Sequence, residues 1–295
     1  MDFREVSALK RRALFYVNFA VVLFGFAGLF GKWIDLPSVE ISFGRVLFSS
    51  ITLAVFMLIT KRPFKLRSRR DLYTLMLGGL ILAMHWWSIF ESIRISSVAI
   101  GTITFSSFPL FLTFIEPAVT KDKISRKNVI IALIILVGVV IAIPEFSLEN
   151  NVFKGVLIGL ISPIAYSVLT IINKNLTENY ESTLISFYEQ SSAAVVLFPL
   201  ALILGGVVPG PKEIGLLLIF AVVTTALAHT LFIACLPYIP AQLAGICSSM
   251  ETVYGILFAA LFLGEIPTWR EITGGLIILA AVLYAQLSEK KEVSS

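Results

Sequence analysis

The stretch FSSFP at 105–109 resembles CSSME at 247–251, which lies 142 residues further along the chain. The stretch LIIL at 133–136 recurs at 276–279 with a shift of 143, so one inserted residue reconciles the two registers. Either match alone is weak, because apolar segments draw on few residue types. Together, in the same order and near half the chain length, they indicate that the chain consists of two related units.

The composition is that of a membrane protein. The chain has 295 residues, of which 57% are hydrophobic and only 14% are charged, whereas soluble domains contain about 25% charged residues. This excludes an ordinary cytosolic enzyme and a nucleic-acid-binding domain, despite the net charge of +4. The only cysteines, Cys235 and Cys247, lie in apolar stretches and predict neither a disulfide framework nor a metal site.

Uncharged runs recur along the whole chain, and a helix that crosses the hydrocarbon core needs about 20 mostly apolar residues. The runs are 13–31, 46–60, 72–90, 95–115, 128–144, 155–173, 190–211, 214–250, 252–264 and 272–288. The run 214–250 is too long for one span, and Pro237 and Pro240 indicate a turn that divides it. The sequence therefore predicts an all-α integral membrane protein with about ten transmembrane helices, the first of which is retained.

Two units with five spans each must enter the membrane from opposite faces. We therefore predict two inverted five-helix repeats at 13–143 and 152–288, with tails at 1–12 and 289–295. Inverted repeats are common in secondary transporters, where the substrate binds between the repeats near the bilayer midplane. The repeat favours a carrier that works by alternating access.

Basic residues predict the orientation of the chain. The segment before the first span carries Lys10, Arg11 and Arg12, and the loop between the second and third spans carries a larger cluster. That cluster consists of Lys61, Arg62, Lys65, Arg67, Arg69 and Arg70. The positive-inside rule then predicts a multi-pass protein of the cell membrane with both termini in the cytoplasm.

Several short motifs resemble one known family. They are Arg45 in the second span, SIRISSVA at 92–99, Pro109, CLPYIPA at 235–241, Gly264-Glu265 and Gly274-Gly275. With these motifs the chain resembles the drug/metabolite transporter superfamily, specifically its ten-helix EamA-type permeases built from two EamA repeats. The resemblance covers roughly 15–142 and 155–285, and it implies a polyspecific or metabolite-exporting permease without indicating a substrate.

Ionisable side chains inside spans are costly, with insertion costs of about 2.5–3.5 kcal/mol, and they commonly mark functional sites. Glu251 is the leading candidate, because no Lys or Arg lies within a turn of it on the same helix. It is expected to bind a proton or a substrate cation, or to pair with another helix in a structural role. Tyr254 follows it by one helical turn and is grouped with it.

The only two histidines occupy related places in the two units. His85 in the third span shares a helical face with Ser88 and Ser92, and Trp87 is a candidate for an apolar or cation–π wall beside it. The alternative is a neutral histidine that bonds a neighbouring helix while the tryptophan packs. His229 in the eighth span is a paired pathway residue, a pH-sensing group or a coincidence.

Arg45 and Glu189 lie at corresponding depths of the second and seventh spans. One interpretation is a salt bridge between helices that opens and closes during transport. The other is that the two side chains extend independently toward the headgroups.

The sequence predicts a secondary-active exporter of a small metabolite, such as an amino acid or a related amphiphile. A Walker A pattern and the motifs of intramembrane enzymes are not found, so neither ATP hydrolysis nor catalysis is expected. No cofactor or nucleic-acid partner is expected. The expected partners are a small-molecule substrate, membrane lipids and protons or another coupling ion, with the chain a monomer or a homodimer. The alternative function is a channel, facilitator or lipid-scrambling protein without ion coupling.

Overall fold

The computed structural model describes residues 3–121, 124–142 and 149–294, and within these ranges the regular structure is helical, without strands. Residue 143, the predicted end of the first unit, lies outside the described residues. So do residues 1, 2 and 295 of the predicted tails.

Ten helices, several of them interrupted, account for the described chain. The first five are α1 (Phe3–Gly25 and Ala27–Trp33), α2 (Ser38–Ile59), α3 (Arg69–Ile95), α4 (Val98–Phe105 and Phe108–Thr120) and α5 (Arg126–Ala142). The second five are α6 (Asn151–Gly159 and Ile161–Leu176), α7 (Ser182–Leu200 and Ala201–Gly205), α8 (Pro211–Phe220, Ala221–Leu227 and Ala228–Cys235), α9 (Ala241–Ser248 and Met250–Leu263) and α10 (Trp269–Ser294). Eight of them, all but α5 and α10, are long and apolar enough to cross a membrane. The predicted all-α membrane fold is confirmed.

Short polar residues and glycines define the helix ends. Ser97 caps α4 by accepting a hydrogen bond from the backbone of Ile100 at 3.1 Å, and Ser68 caps α3 in the same way. Gly206 and Gly264 end α7 and α9 with φ angles of +73° and +69°, a conformation that glycine adopts without steric cost. Where the connections are described, the loops between consecutive helices are short.

The packing of the helices repeats between the two halves. Helices α1 to α5 of the first half correspond in order to α6 to α10 of the second. The contact between α3 and α6 has its counterpart in the contact between α8 and α1, and the contact between α2 and α8 has its counterpart in the contact between α7 and α3. Likewise α1 packs on α9 as α6 packs on α4. The remaining large contacts each join a helix to its own counterpart in the other half. They are the contacts of α2 with α7, of α4 with α9 and of α5 with α10. This pattern is that of two inverted repeats related by a pseudo-twofold axis.

The repeated serine motif interrupts both α4 and α9 where the two helices meet. The break in α4 lies at Ser106 and Ser107, and the break in α9 at Ser249. The hydroxyl of Thr252 donates to the backbone oxygen of Thr102 at 2.7 Å, and that of Ser249 donates to the oxygen of Ser106 at 3.3 Å. Carbonyl groups near the breaks are thus satisfied by the opposite repeat, as irregular backbone inside a membrane requires.

The periphery of the bundle is apolar. Large side chains such as Leu58, Ile59, Val195 and Ile203 are exposed there, as expected of a surface in contact with lipid. Polar residues lie inside instead, and the largest fully buried side chain is Arg45. The interior therefore contains the groups that can act on a solute.

Candidate functional site

Arg45, on α2, is fully buried and surrounded by aromatic rings. Its Cζ atom lies 3.4 Å from the ring centroid of Trp86 on α3 and 4.2 Å from that of Phe220 on α8. Its Nε and Nη2 atoms donate to the hydroxyl of Thr225 at 3.0 and 2.8 Å. Thr225 belongs to the π-helical segment Ala221–Leu227, a helix form that occurs often at functional sites. Cation–π contacts and two hydrogen bonds fix the guanidinium in one orientation.

One nitrogen of this guanidinium has no partner. The Nη1 atom of Arg45 is buried and makes no hydrogen bond, although a buried charged donor normally has an acceptor. Glu251, on α9, is 5% exposed and makes no hydrogen bond within the described part of the chain. No salt bridge joins the described side chains of Arg45 and Glu251. The interior therefore contains a guanidinium with an unused donor and, on α9, a buried glutamic acid.

His85, on α3, is held by α6. Its Nδ1 atom lies 2.7 Å from the hydroxyl of Ser162, and its ring stacks on Tyr166 with the centroids 4.5 Å apart. Its centroid also lies 4.3 Å from that of Trp86, which stacks on Arg45. Hydrogen bonding and ring contacts together connect this histidine to the arginine site.

His229, on α8, pairs with Glu189, on α7. The His229 Nε2 and Glu189 Oε2 atoms are 2.9 Å apart, and both side chains have an exposed fraction of 0%. The hydroxyl of Tyr166 lies 3.4 Å from His229 Nδ1, and the amide of Asn173 donates to Glu189 Oε2 at 3.4 Å. The second carboxylate oxygen, Glu189 Oε1, has no hydrogen-bond partner.

Tyr166 joins these contacts into one buried unit. Its ring stacks on one histidine and its hydroxyl approaches the other, so it connects α3 of the first repeat with α8 of the second. We call this unit the central cluster, and its contacting members are Arg45, His85, Trp86, Tyr166, Glu189, Thr225 and His229; the buried Glu251 of α9 is grouped with them. Residues of six helices, α2, α3 and α6 to α9, thus belong to the cluster.

The central cluster includes Arg45, His85, Glu189, His229 and Glu251 from the sequence-based candidates. The structure does not pair Arg45 with Glu189, since Arg45 binds Thr225 and Glu189 binds His229.

Two other candidates lie outside the cluster. Trp87 is 37% exposed on the outer surface of α3, and the aromatic wall is formed by its neighbour Trp86. Tyr254 stacks on Phe258 and packs against Gly25 of α1.

Sequence reasoning missed Tyr166, Trp86 and Thr225. Tyr166 follows Pro163, a proline near the break in α6, and that neighbourhood is the one signal that could have drawn attention to it. The other two carry no such signal, because an aromatic or hydroxyl residue in an apolar span is common.

A cavity opens at each end of the bundle. The one at the end that carries the N-terminus has a volume of about 590 Å³ and is lined by residues that include Arg12, Arg62, Glu181 and Tyr238. The one at the opposite end has a volume of about 740 Å³ and is lined by residues that include Ser96, Asn151 and Glu265. No member of the central cluster lines either cavity. The cluster is closed off from both ends in this conformation.

The chain is similar to known proteins in both sequence and fold. A family model described as the EamA-like transporter family matches residues 11–143 and 153–286. A solved crystal structure of a protein is similar with a TM-score of 0.76 and 14% identity, covering 95% of this chain and 98% of that one. At this identity the structure supports the fold alone.

Two kinds of relative have named activities. An S-adenosylmethionine uptake transporter from Rickettsia prowazekii (strain Madrid E) is 25% identical over 260 residues, which are 88% of this chain and 86% of that protein. The pseudopaline exporter CntI from Pseudomonas aeruginosa PAO1 is 28% identical over 257 residues, covering 86% of this chain and 88% of that protein. Both relatives are transporters of small molecules, and they are named for opposite directions of transport.

Proposed function

The chain belongs to the EamA-like transporter family, and from this premise we propose that it is a secondary-active exporter of an amino acid or a related small zwitterion. The single observation that carries the proposal is the unused donor of Arg45, in an interior that also contains the buried Glu251. Arg45 has a buried donor without an acceptor, and Glu251 is a buried acid that forms no salt bridge with a described residue. Each lacks the partner that one end of a zwitterion would supply.

The chemistry of each charge selects one end of the substrate. A guanidinium binds a carboxylate through charge-assisted hydrogen bonds, and a carboxylate binds an ammonium group in the same way. The wall formed by Trp86 and Phe220 offers an apolar surface to the rest of the solute. An α-amino acid has all three features, so it fits the chemistry of the cluster.

The relatives support a small-molecule substrate and leave the direction to be tested. S-Adenosylmethionine, named for the Rickettsia relative, is an amino-acid derivative, in agreement with the proposed class. The proposal of export follows the Pseudomonas relative, whereas the Rickettsia relative is named for uptake.

Two ion pairs at opposite ends of the bundle support alternating access. Lys174 Nζ lies 2.7 Å from Glu116 Oε1 and joins α6 to α4, at the end that carries the N-terminus. Lys32 Nζ lies 4.0 Å from Glu265 Oε1 and joins α1 to the end of α9, at the opposite end. Exchange of the two repeats relates α1 to α6 and α4 to α9, so each pair is the counterpart of the other. We infer that each pair closes one entrance.

We also propose that both termini lie in the cytoplasm. The basic residues of the N-terminal segment and of the loop between α2 and α3 lie at the same end of the bundle, which the positive-inside rule assigns to the cytoplasm. A fluorescent reporter that folds only in the cytoplasm, fused to residue 295, tests this placement. A signal supports it, and a silent but stably inserted fusion contradicts it.

Thermal unfolding of the purified protein tests the proposed substrate class. A ligand that binds only the folded state raises the melting temperature. The standard L-amino acids are compared with matched amines and carboxylic acids that carry only one of the two charges. We expect stabilisation by one or more amino acids and by neither matched analogue.

Variants locate the binding site in the same experiment. Glu251→Gln and Arg45→Lys should abolish the stabilisation. The control Glu213→Gln changes a partly exposed residue in the first turn of α8, outside the cluster, and should preserve it. Stabilisation that survives Glu251→Gln would contradict the site. A panel without any stabilising compound would contradict the amino-acid class.

A further inference from the structure

The proposed binding of a zwitterion by Arg45 and Glu251 makes no use of the pair formed by His229 and Glu189. We propose that it is a separate proton-binding site, which couples transport to a proton gradient. The proposal rests on the proposed transport function, but the site itself can be tested without a substrate. Four observations support it, concerning burial, hydrogen bonding, charge and connection to the substrate groups.

The pair is sealed from water and held in a fixed geometry. Both side chains have an exposed fraction of 0%, and the Nε2 and Oε2 atoms are 2.9 Å apart. The second oxygen, Glu189 Oε1, lies against Gly78 of α3, where an added Cβ would come within 3.0 Å of it. A buried carboxylate oxygen without a donor is unusual, and a proton is the smallest group that would satisfy it.

The contacts define where protons lie in the two states of the pair. A neutral imidazole donates through one nitrogen and accepts through the other. With Nε2–H donating to Glu189, Nδ1 accepts from the hydroxyl of Tyr166, 3.4 Å away. An added proton is taken up either by His229 Nδ1, which then no longer accepts from Tyr166, or by the carboxylate. In either case one proton enters and none leaves.

Charge favours the uptake of one proton. A neutral His229 beside an ionised Glu189 has a net charge of −1, which is costly in a buried site, and one added proton makes the pair neutral. The ionisable groups on the surrounding helices are Arg45 of α2, His85 of α3, Tyr166 of α6, Glu251 of α9 and Cys235 of α8 itself. Arg45 is the cation among these groups, but it stacks on Trp86 and bonds Thr225 and makes no hydrogen bond to the described atoms of the pair.

The helix α1 also packs against α8, but there it contributes an apolar contact. The ring of Phe24 lies 6.4 Å from that of Phe232 on α8. This side of α8 therefore adds no compensating charge through that contact.

A continuous set of contacts connects the pair to the substrate groups. Arg45 stacks on Trp86, Trp86 contacts His85, and His85 stacks on Tyr166. The hydroxyl of Tyr166 then reaches His229. A proton that breaks the contact of Tyr166 with His229 releases the ring that holds His85, so proton binding and substrate binding can affect each other reciprocally.

Nitrogen NMR tests the proton site directly, because the chain contains only two histidines. Protein with 15N in the histidine rings is titrated between about pH 5 and about pH 8, the range in which histidine commonly changes charge. His85→Gln assigns the signals. We expect the His229 ring signals to titrate, and Glu189→Gln to change their midpoint. The control variant is Glu91→Gln, which alters a carboxylate paired with Arg94 at the end of α3. It should leave the midpoint of the His229 titration unchanged.

Transport coupling is tested in proteoliposomes that contain a trapped pH-sensitive dye, with a mixture of the standard amino acids added outside. The wild type should move protons when the amino acids are added. His229→Gln and Glu189→Gln should reduce this signal about fivefold or more, within the range of coupling between two ligand sites. Glu91→Gln should retain both the proton signal and the exchange of labelled against unlabelled amino acids.

The outcomes separate this proposal from the proposed function. Wild-type His229 signals that do not change with pH would overturn the proton site, whatever the transport results, and this experiment requires no variant to fold. Amino-acid exchange without proton movement in the wild type would overturn coupling while the transport function stands. A titrating His229 in a protein that exchanges no amino acid would support the proton site and overturn the amino-acid function.

Discussion

The guanidinium of Arg45 lies 3.4 Å above the ring of Trp86, deep inside the bundle, and one of its nitrogens has no acceptor. The contact joins α2 to α3, while the hydrogen bonds of the same guanidinium to Thr225 join α2 to α8. The arginine is therefore held by both repeats and retains one free donor. This combination of fixed orientation and free hydrogen-bonding capacity is what a binding residue needs.

Arg45→Lys should weaken amino-acid binding by about tenfold or more. A lysine retains the charge but cannot stack as a plane on Trp86 while donating to Thr225 and to a carboxylate. A hydrogen bond to a charged group contributes about 1.5–3 kcal/mol, and about 1.4 kcal/mol corresponds to a factor of ten. Binding of a labelled amino acid to the purified variant checks this, with Arg94→Lys as the control. Unchanged affinity in Arg45→Lys would exclude the guanidinium from the site.

Thr252→Val should destabilise the contact between α4 and α9. The hydroxyl of Thr252 donates to the oxygen of Thr102 and bonds the hydroxyl of Ser106 at the break in α4. Loss of these bonds should cost about 1 kcal/mol, since hydrogen bonds between membrane helices contribute modestly.

The melting temperature in detergent measures this cost. Thr60→Val is the matched control, because Thr60 is exposed and bonds only within its own helix. Equal melting temperatures for the two variants would show that the bonds across the break do not stabilise the fold.

Gly274→Ala should separate α5 from α10. An added Cβ at Gly274 would lie 2.4 Å from the backbone oxygen of Gly138, and neither backbone can move without shifting a helix. Overpacking of this kind costs about 1–3 kcal/mol. Gly215→Ala is the control, since a Cβ there meets nothing within 4 Å. Denaturation of both variants checks the prediction, which fails if Gly274→Ala is no less stable than the control.

The two end pairs should control access from opposite sides. Glu116→Gln removes the charge that holds Lys174, and it should speed thiol labelling of Ala234→Cys, which lines the cavity at the N-terminal end. Glu265→Gln removes the partner of Lys32, and it should speed labelling of Ala99→Cys, which lines the opposite cavity.

The native Cys235 and Cys247 are buried, and they provide the background rate of labelling. Each substitution should affect only the cysteine at its own end. If either one speeds labelling at the distant end to the same extent, the pairs do not act as separate closures.

The sequence was sufficient to predict the fold, because the features that determine it, the apolar runs and the internal repeat, are properties of the residue order alone. Span lengths follow from hydropathy, and the repeated serine motif indicated two related units. The structure then showed that the same motif interrupts α4 and α9. The candidates Glu251, His85 and His229 were found because ionisable groups are conspicuous in apolar spans.

The remaining features depend on the rotation and pairing of helices. Adjacent residues differ by about 100° around a helix axis, so Trp86 faces inward and Trp87 outward. Hydropathy does not distinguish the two faces, because the core and the lipid are both apolar. The partner of Glu189 likewise depends on which helices pack together. The depth of the residues left a salt bridge with Arg45 as one of two interpretations, and the structure gives His229.

The central claim is that a zwitterion binds between Arg45 and Glu251 and is carried across the membrane. Exchange of labelled amino acids by proteoliposomes tests it most directly, with wild type, Glu251→Gln and Glu213→Gln compared at equal protein content. The account predicts saturable exchange by the wild type and by Glu213→Gln, and a loss of about tenfold or more in Glu251→Gln. Exchange by Glu251→Gln at the wild-type rate, or a flux that does not saturate, would contradict it.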